Sequence, residues 1–396
     1  MSDRSYGRLA GYYFFYFAFI GAFSPYFALY LQSLSFSAWD IGLLMSQMQL
    51  MRLLGPYVWG WLADHFGRRL FIVRLAGIAS LAGFSCFFFL QQLNGMLVAM
   101  AILAFFWSAA LPLVEALTFD HLRESTANYS RIRVWGSVGF IVAVLATGAA
   151  LEFVAVSGIL WVCWLILLGI FACAMLIRDV PAAKAVCGRA GSILAVVKQK
   201  HVAGFFVACF AMSAAHGALY VFYSIHLAEL GFGKAAVGAF WTLGVLSEIA
   251  VFMVMARLLR NYKFRVLMLM TFAVAVVRFL LIGWGGATVL LLILAQLMHA
   301  MTFGVFHATS VAVVNAWFPE RYRGRGQALY SSISFGAGGL LGGLLSGWMW
   351  DRVGAGWTYT LSSAFALFGF LVVWFVMRAD APAQGVDSGK NRNPVT

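Results

Sequence analysis

LYLQSLSFSAWDIG, residues Leu29–Gly42, returns later in the chain as SIHLAELGFGKAAVG, residues Ser224–Gly238. At an offset of 196 residues Leu31 falls on Leu227, Leu34 on Leu230, Phe36 on Phe232 and Gly42 on Gly238. A second echo, at an offset of 192, sets Arg131 and Arg133 against Arg323 and Arg325. Two echoes with similar offsets divide the chain into halves of like topology. Such halves imply a pseudo-two-fold axis along a membrane normal, with a substrate site near mid-membrane between them.

The segments around each echo are apolar over lengths that fit a bilayer. The 396 residues are 63% hydrophobic and 10% charged, with a mean hydropathy of +0.89. A soluble domain cannot bury that much apolar surface. Apolar runs of about 20 residues, enough to cross a hydrocarbon core of roughly 30 Å, recur along nearly the whole length. Twelve spans fit: 9–32, 39–61, 70–91, 95–121, 131–153, 156–178, 201–228, 235–258, 264–284, 286–316, 325–350 and 355–377. The fold class is an all-α polytopic membrane protein, with two pseudo-symmetric six-helix halves around a central cavity. The halves are 1–178 and 201–378, joined by a cytoplasmic linker at 179–200 and followed by a disordered cytoplasmic tail at 379–396.

The net charge of +13 is a topology signal rather than a nucleic-acid patch. With the N-terminus in the cytoplasm, basic residues such as Arg68, Arg69, Arg131, Lys200, Arg260 and Arg323 fall on one side, and only Lys234 and Arg352 on the other. That asymmetry places both termini in the cytoplasm of a bacterial-type inner membrane. Five cysteines lack metal-type spacing, and no disulfide, metal or cofactor is expected. Nor is there a nucleophile–base pair or phosphate loop, so the chain reads as a non-enzyme. FGAGGLLGG, Phe335–Gly343, lies in a membrane run and reads as close helix packing.

Charges inside the apolar runs carry the functional signal. Arg52, Glu115, Arg133, Glu248, Arg278, His216, His299 and His307 all lie in or near spans. A central Arg or Asp costs about 2.5–3.5 kcal/mol on insertion scales, so such groups pair or face a cavity. A buried structural ion pair is the plainer reading of the same residues. The repeat maps Arg52 onto Glu248 and Glu115 onto His307, which puts each pair at similar depth on opposite walls. In QLMHAMTFGVFHATS, Gln296–Ser310, an ideal helix leaves His299 and His307 about 80° and roughly 12 Å apart. Phe303 and Phe306 lie between them on the same side, which gives an aromatic face with two titratable ends.

GWLADHFGRRL, Gly60–Leu70, resembles the G-x-L-A-D-x-x-G-R-R loop signature of the major facilitator superfamily. Within it the chain is similar to the 3-phenylpropionate permease branch, akin to lactose permease and nucleoside proton symporters. PLVEAL (Pro112–Leu117), RIRVWGSVGF (Arg131–Phe140), AHGALY (Ala215–Tyr220), WTLGVLSE (Trp241–Glu248) and VVRF (Val276–Phe279) carry that likeness. The resemblance implies a gating loop of Gly60, Asp64, Gly67, Arg68 and Arg69 that latches the cytoplasmic side. It makes Glu115 and Arg133 a substrate-binding pair and assigns proton coupling to Glu248, Arg278 and His299, with Arg52 facing them. Thr302 stands where lactose permease has a Glu, so the proton carrier does not transfer directly.

The expected function is proton-coupled uptake of a small aromatic carboxylate by alternating access. Glu115, Arg133, His307, Phe303, Phe306, His216 and Tyr220 are the expected substrate contacts. Partners are a small organic solute, protons and the lipid bilayer, with no nucleic acid, and the chain acts as a monomer. Sugar or nucleoside symport, export of lipophilic compounds and a non-transporting membrane sensor are the rival readings.

Overall fold

The turns of the repeated stretch close with the same hydrogen bonds in the computed structural model, which describes residues 3–122, 126–178 and 193–377. Helix α1 (Asp3–Ser33) closes with Leu34 N–H donating to the Tyr30 carbonyl and Phe36 N–H to the Leu31 carbonyl. Exactly 196 residues on, Leu230 donates to His226 and Phe232 to Leu227. Both turns need a left-handed residue between those donors, and Ser35 (φ 64°) and Gly231 (φ 89°) supply it. This is the left-handed helix stop that glycine tolerates best. Ser35 accepts the same geometry with a side chain.

Eleven further long helices follow: α2 (Ala38–Phe66), α3 (Arg69–Ser85), α4 (Leu93–Leu122), α5 (Thr126–Ala150), α6 (Ile159–Leu176), α7 (Lys200–Glu229), α8 (Lys234–Asn261), α9 (Phe264–Trp284) and α10 (Val289–Trp317), then α11 (320–353) and α12 (355–376). A single turn, Leu194–Val197, precedes α7. The last two helices form one run, Glu320–Val376, divided where Gly354 adopts φ 79°. Among the described residues, ten helices are long and apolar enough to cross a membrane, with that run counted once. Helix α2 is not among them; it carries Gln47, Gln49 and Arg52 in mid-helix. The expected spans 131–153 and 156–178 shift: α5 ends at Ala150 and α6 begins at Ile159, because residues 151–158 turn instead. Of the expected linker, 179–192 lies outside the described residues, as does the expected tail.

Large apolar side chains stand on the outside, among them Phe71, Phe153, Met253, Leu290 and Phe375. A helix bundle with an apolar exterior suits hydrocarbon, where each backbone group must be bonded within its own segment.

The two halves meet through small residues placed by the repeat. Gly42 of α2 packs on Gly347 of α11, whose Cα lies 3.0 Å from where a Cβ on Gly42 would sit. Its mate Gly238 of α8 packs on α5, with the Val144 carbonyl 2.8 Å from the corresponding point. Matching glycines therefore make matching crossings. Beside them Ala38 N–H donates to Asp351, Ala235 N–H donates to Glu152, and the Tyr26 hydroxyl donates toward the carbonyls of Val144 and Lys234. Apart from Tyr26–Val144, which lies within one half, these bonds join the two halves and gather on the face that bears Ser37 and Lys234.

A side chain at Gly238 would push α5 and α8 apart, and overpacking typically costs about 1–3 kcal/mol. Gly238→Val is expected to loosen this closed face, with Tyr26→Phe acting in the same direction more weakly. Alkylation of a reporter cysteine at Ser37 should speed up roughly tenfold in the first variant, and an unchanged rate would show that the crossing does not hold the face shut.

Candidate functional site

Charged residues from both halves converge where α2, α4 and α5 face α8, α10 and α11. Tyr16 of α1 lies within electrostatic reach of Arg52, Glu115 and Arg133. Tyr220 of α7 lies within reach of Glu248, Arg278 and Arg52. Arg133 in turn influences both Glu248 and His307 in the opposite half. The repeat mates Arg52 and Glu248, and Glu115 and His307, thus look onto one central region.

Direct pairing is sparse there. Glu115 and Arg133 do not form an ion pair: Glu115 accepts from the Tyr129 hydroxyl at 3.1 Å, and Arg133 lies over the Phe17 ring at 4.0 Å. Tyr129 sits one helical turn before Arg133 on α5, which sequence spacing alone does not single out. Arg52 stands 5.9 Å above the Phe335 ring. Among the described residues neither arginine has a carboxylate partner. Cation–π contact contributes about 0.5–2 kcal/mol and leaves the guanidinium donors free to bind. Phe335 opens the expected packing run, and its glycine neighbours do pack, with Gly338 against Phe210 and Gly342 against Ala214.

The two histidines of α10 depart from ideal-helix geometry. Residues Ala300–Val305 form π-helix, whose i→i+5 bonding fits more residues into each turn. Positions four apart therefore come near one azimuth. His299 stacks on Phe303 at 5.3 Å and Phe303 on His307 at 5.9 Å, with ring planes within 14°. The expected 80° separation is replaced by one column, with Phe335 6.4 Å from Phe303 and 5.8 Å from His307. Phe306 is not in it. It is buried and packs edge-on against Phe272 of α9, because the wider turn carries it to the far side. His307 Nδ1 lies 3.0 Å from the Tyr330 hydroxyl, a partner the sequence did not suggest.

Glu248 and Arg278, both expected in proton coupling, do not form an ion pair. Glu248 lies 3.9 Å from His299 Nε2. Arg278 is fully buried: Nε donates to the Ala295 carbonyl and Nη1 to the Thr302 hydroxyl at 2.9 Å, with His216 Nε2 3.4 Å away. Thr302, where the resemblance would place a Glu, thus meets the guanidinium with a neutral oxygen. His216 stacks with Tyr220, which stacks on Trp241.

The loop after α2 makes no ion pair to the other half among the described residues. Gly67 adopts φ 61° and ends α2, as its place in the motif demands, whereas nothing lies within 4 Å of a Cβ at Gly60. Arg69 pairs at 2.9 Å with Asp120 of α4, inside its own half. Arg68 is exposed, and the side chain of Asp64 lies outside the described residues.

Comparison with known proteins bears on this arrangement. The family described as MFS_1 like matches residues 6–361. The chain is 28% identical over 370 residues to a protein of Escherichia coli (strain K12) named as a probable 3-phenylpropionic acid transporter, covering 90% of this chain and 94% of the relative. It is 25% identical to the maltose permease of Geobacillus stearothermophilus, over 94% of each. The crystal structure of the nucleoside transporter NupG superposes with a TM-score of 0.83 at 17% identity, covering 96% of this chain and all of that one, a likeness of fold. By the matched length and the shared fold, the chain belongs to the MFS_1 like family of the major facilitator superfamily, as a multi-pass membrane transporter and not an enzyme.

Proposed function

We propose that this transporter carries a small aromatic carboxylate of the phenylpropionate kind into the cell together with a proton. The observation that carries the reading is Arg133: a guanidinium over the Phe17 ring at 4.0 Å, without a carboxylate partner among the described residues, within electrostatic reach of His307 in the other half. A carboxylate in apolar surroundings needs such a cation, and guanidinium takes it through two parallel bonds. Phe303 and Phe335 offer faces for the ring, and His307 stands at the end of the same column. Tyr220, stacked beside His216, extends the aromatic lining. The relative named for 3-phenylpropionic acid supports the same substrate class.

In this reading the halves 1–178 and 201–378 rock about the site. The basic asymmetry supports an inner-membrane orientation with both termini cytoplasmic. The closed face bearing Ser37 and Lys234 is then the outer one. Glu248, next to His299, is the proton carrier, since Thr302 offers no acid. Arg52, its repeat mate, supplies positive charge on the opposite wall. Rearrangement of Arg69, Asp64 and Arg68 latches the cytoplasmic side in the alternate state.

A polyol or nucleoside is the second reading. Glu115, turned to a hydroxyl donor rather than to Arg133, suits a hydroxyl-bearing solute, and the maltose permease and NupG likenesses accord with it.

Arg133→Gln is expected to weaken binding of 3-phenylpropionate tenfold or more, in line with about 1.5–3 kcal/mol for a hydrogen bond to a charged group. Binding of the uncharged amide should barely change; His307→Ala should show the same selectivity to a smaller degree. Equal losses for acid and amide would make these side chains packing elements and favour the polyol reading.

Coupling separates from binding in a second variant. Glu248→Gln in proteoliposomes should lose pH-driven accumulation of labelled solute while retaining exchange at equal pH. Accumulation at the unsubstituted level would remove Glu248 from the proton path.

A further inference from the structure

Arg278 sits in a buried nest whose bonded oxygen partners, the Ala295 carbonyl and the Thr302 hydroxyl, are neutral. It is 0% exposed, and both hydrogens on Nη2 lack an acceptor. The Tyr359 hydroxyl is likewise buried and without a partner, whereas the buried Tyr223 hydroxyl and Gln296 side-chain amide can serve each other. These groups cluster: both tyrosines lie within electrostatic reach of Arg278, and Tyr223 lies beside Gln296. The carboxylates nearby are Glu248, beyond His299, and Glu229 near Tyr359. Among the described residues neither comes within 4.0 Å of the guanidinium.

A guanidinium stays charged in any protein environment. Burying it without a counter-charge is strongly disfavoured, and neutral acceptors such as Thr302 and the Ala295 carbonyl answer hydrogen bonds but not charge. Water would serve the donors and leave the charge standing. A single small anion serves both. From the position of Arg278, the unpaired donors and the missing carboxylate, we propose that this nest in the C-terminal half binds a halide- or carboxylate-sized monoanion. His216, 3.4 Å from Nη1, has its ring 6.3 Å from that of His299, so a bound anion lies near the Glu248–His299 contact and balances Arg278 there.

Two sources share this chemistry: an inorganic monoanion from solution, or the carboxylate of a transported acid reaching past His299. The second rests on the function proposed above; the first stands whatever the central cavity carries. Purified full-length protein in detergent would be melted in chloride, in acetate and in gluconate at fixed ionic strength, and then with added 3-phenylpropionate or its amide in gluconate. A saturable rise of about 2–4 °C with chloride and acetate is expected. Thr302→Glu places an internal carboxylate beside Nη1, and Arg278→Gln removes the charge; either should flatten the anion response. A rise with 3-phenylpropionate alone, also abolished by those variants, would assign the site to the substrate's carboxylate. Absence of any anion-dependent rise in the unsubstituted protein would overturn the proposal, as would an undiminished rise in a folded Thr302→Glu or Arg278→Gln variant.

Discussion

Hydrocarbon neither hydrogen-bonds nor screens, and this single constraint orders the molecule. It makes every long segment a helix that satisfies its own backbone. It leaves large apolar side chains such as Phe153 and Phe375 outside. It also drives charge inward, because a central guanidinium or carboxylate needs a cavity or a partner. Arg52, Glu115, Arg133 and Glu248 accordingly gather where the halves face each other, while Arg278 is tucked within one half among hydroxyl, carbonyl and imidazole partners.

How the bundle holds together at this face follows from where the contacts are. The crossings at Gly42 and Gly238 are small-residue contacts at one face, reinforced by bonds from Ala38, Ala235 and Tyr26. Among the described residues no ion pair crosses this seam; its carboxylates, Asp351 and Glu152, accept backbone N–H groups instead. The repeat places equivalent glycines at equivalent crossings, which is how a duplicated six-helix unit forms a two-sided seam. At the site the same economy of pairing recurs. Arginines rest on aromatic rings instead of carboxylates, which holds them in place and keeps their donors available.

The π-helical stretches at Ala300–Val305 and Ser332–Gly338 shape this site more than any one charge does. The first brings His299, Phe303 and His307 into one stack and turns Phe306 to the core. The second carries Phe335 to the side of that stack and beneath Arg52. Both are extra-residue turns inside continuous helices, a form of local irregularity common at functional sites.

Apolar runs of bilayer length, the 196-residue echo and the GWLADHFGRRL loop were sufficient for the membrane class, the duplicated architecture and the family, because these depend on hydropathy and local turn chemistry. The same local logic identified Arg133, Glu248, Arg278 and His299 as residues out of place in lipid. Their partners were a different matter. Glu115 bonds Tyr129, Arg69 bonds Asp120, and Arg278 meets Thr302 and His216 rather than Glu248. Such choices depend on helix rotation and depth, which one widened turn can shift by a whole face, as Phe306 demonstrates. Hydropathy is summed over a segment and survives such a shift. A contact is set by ångströms between segments, and only the packed bundle decides it.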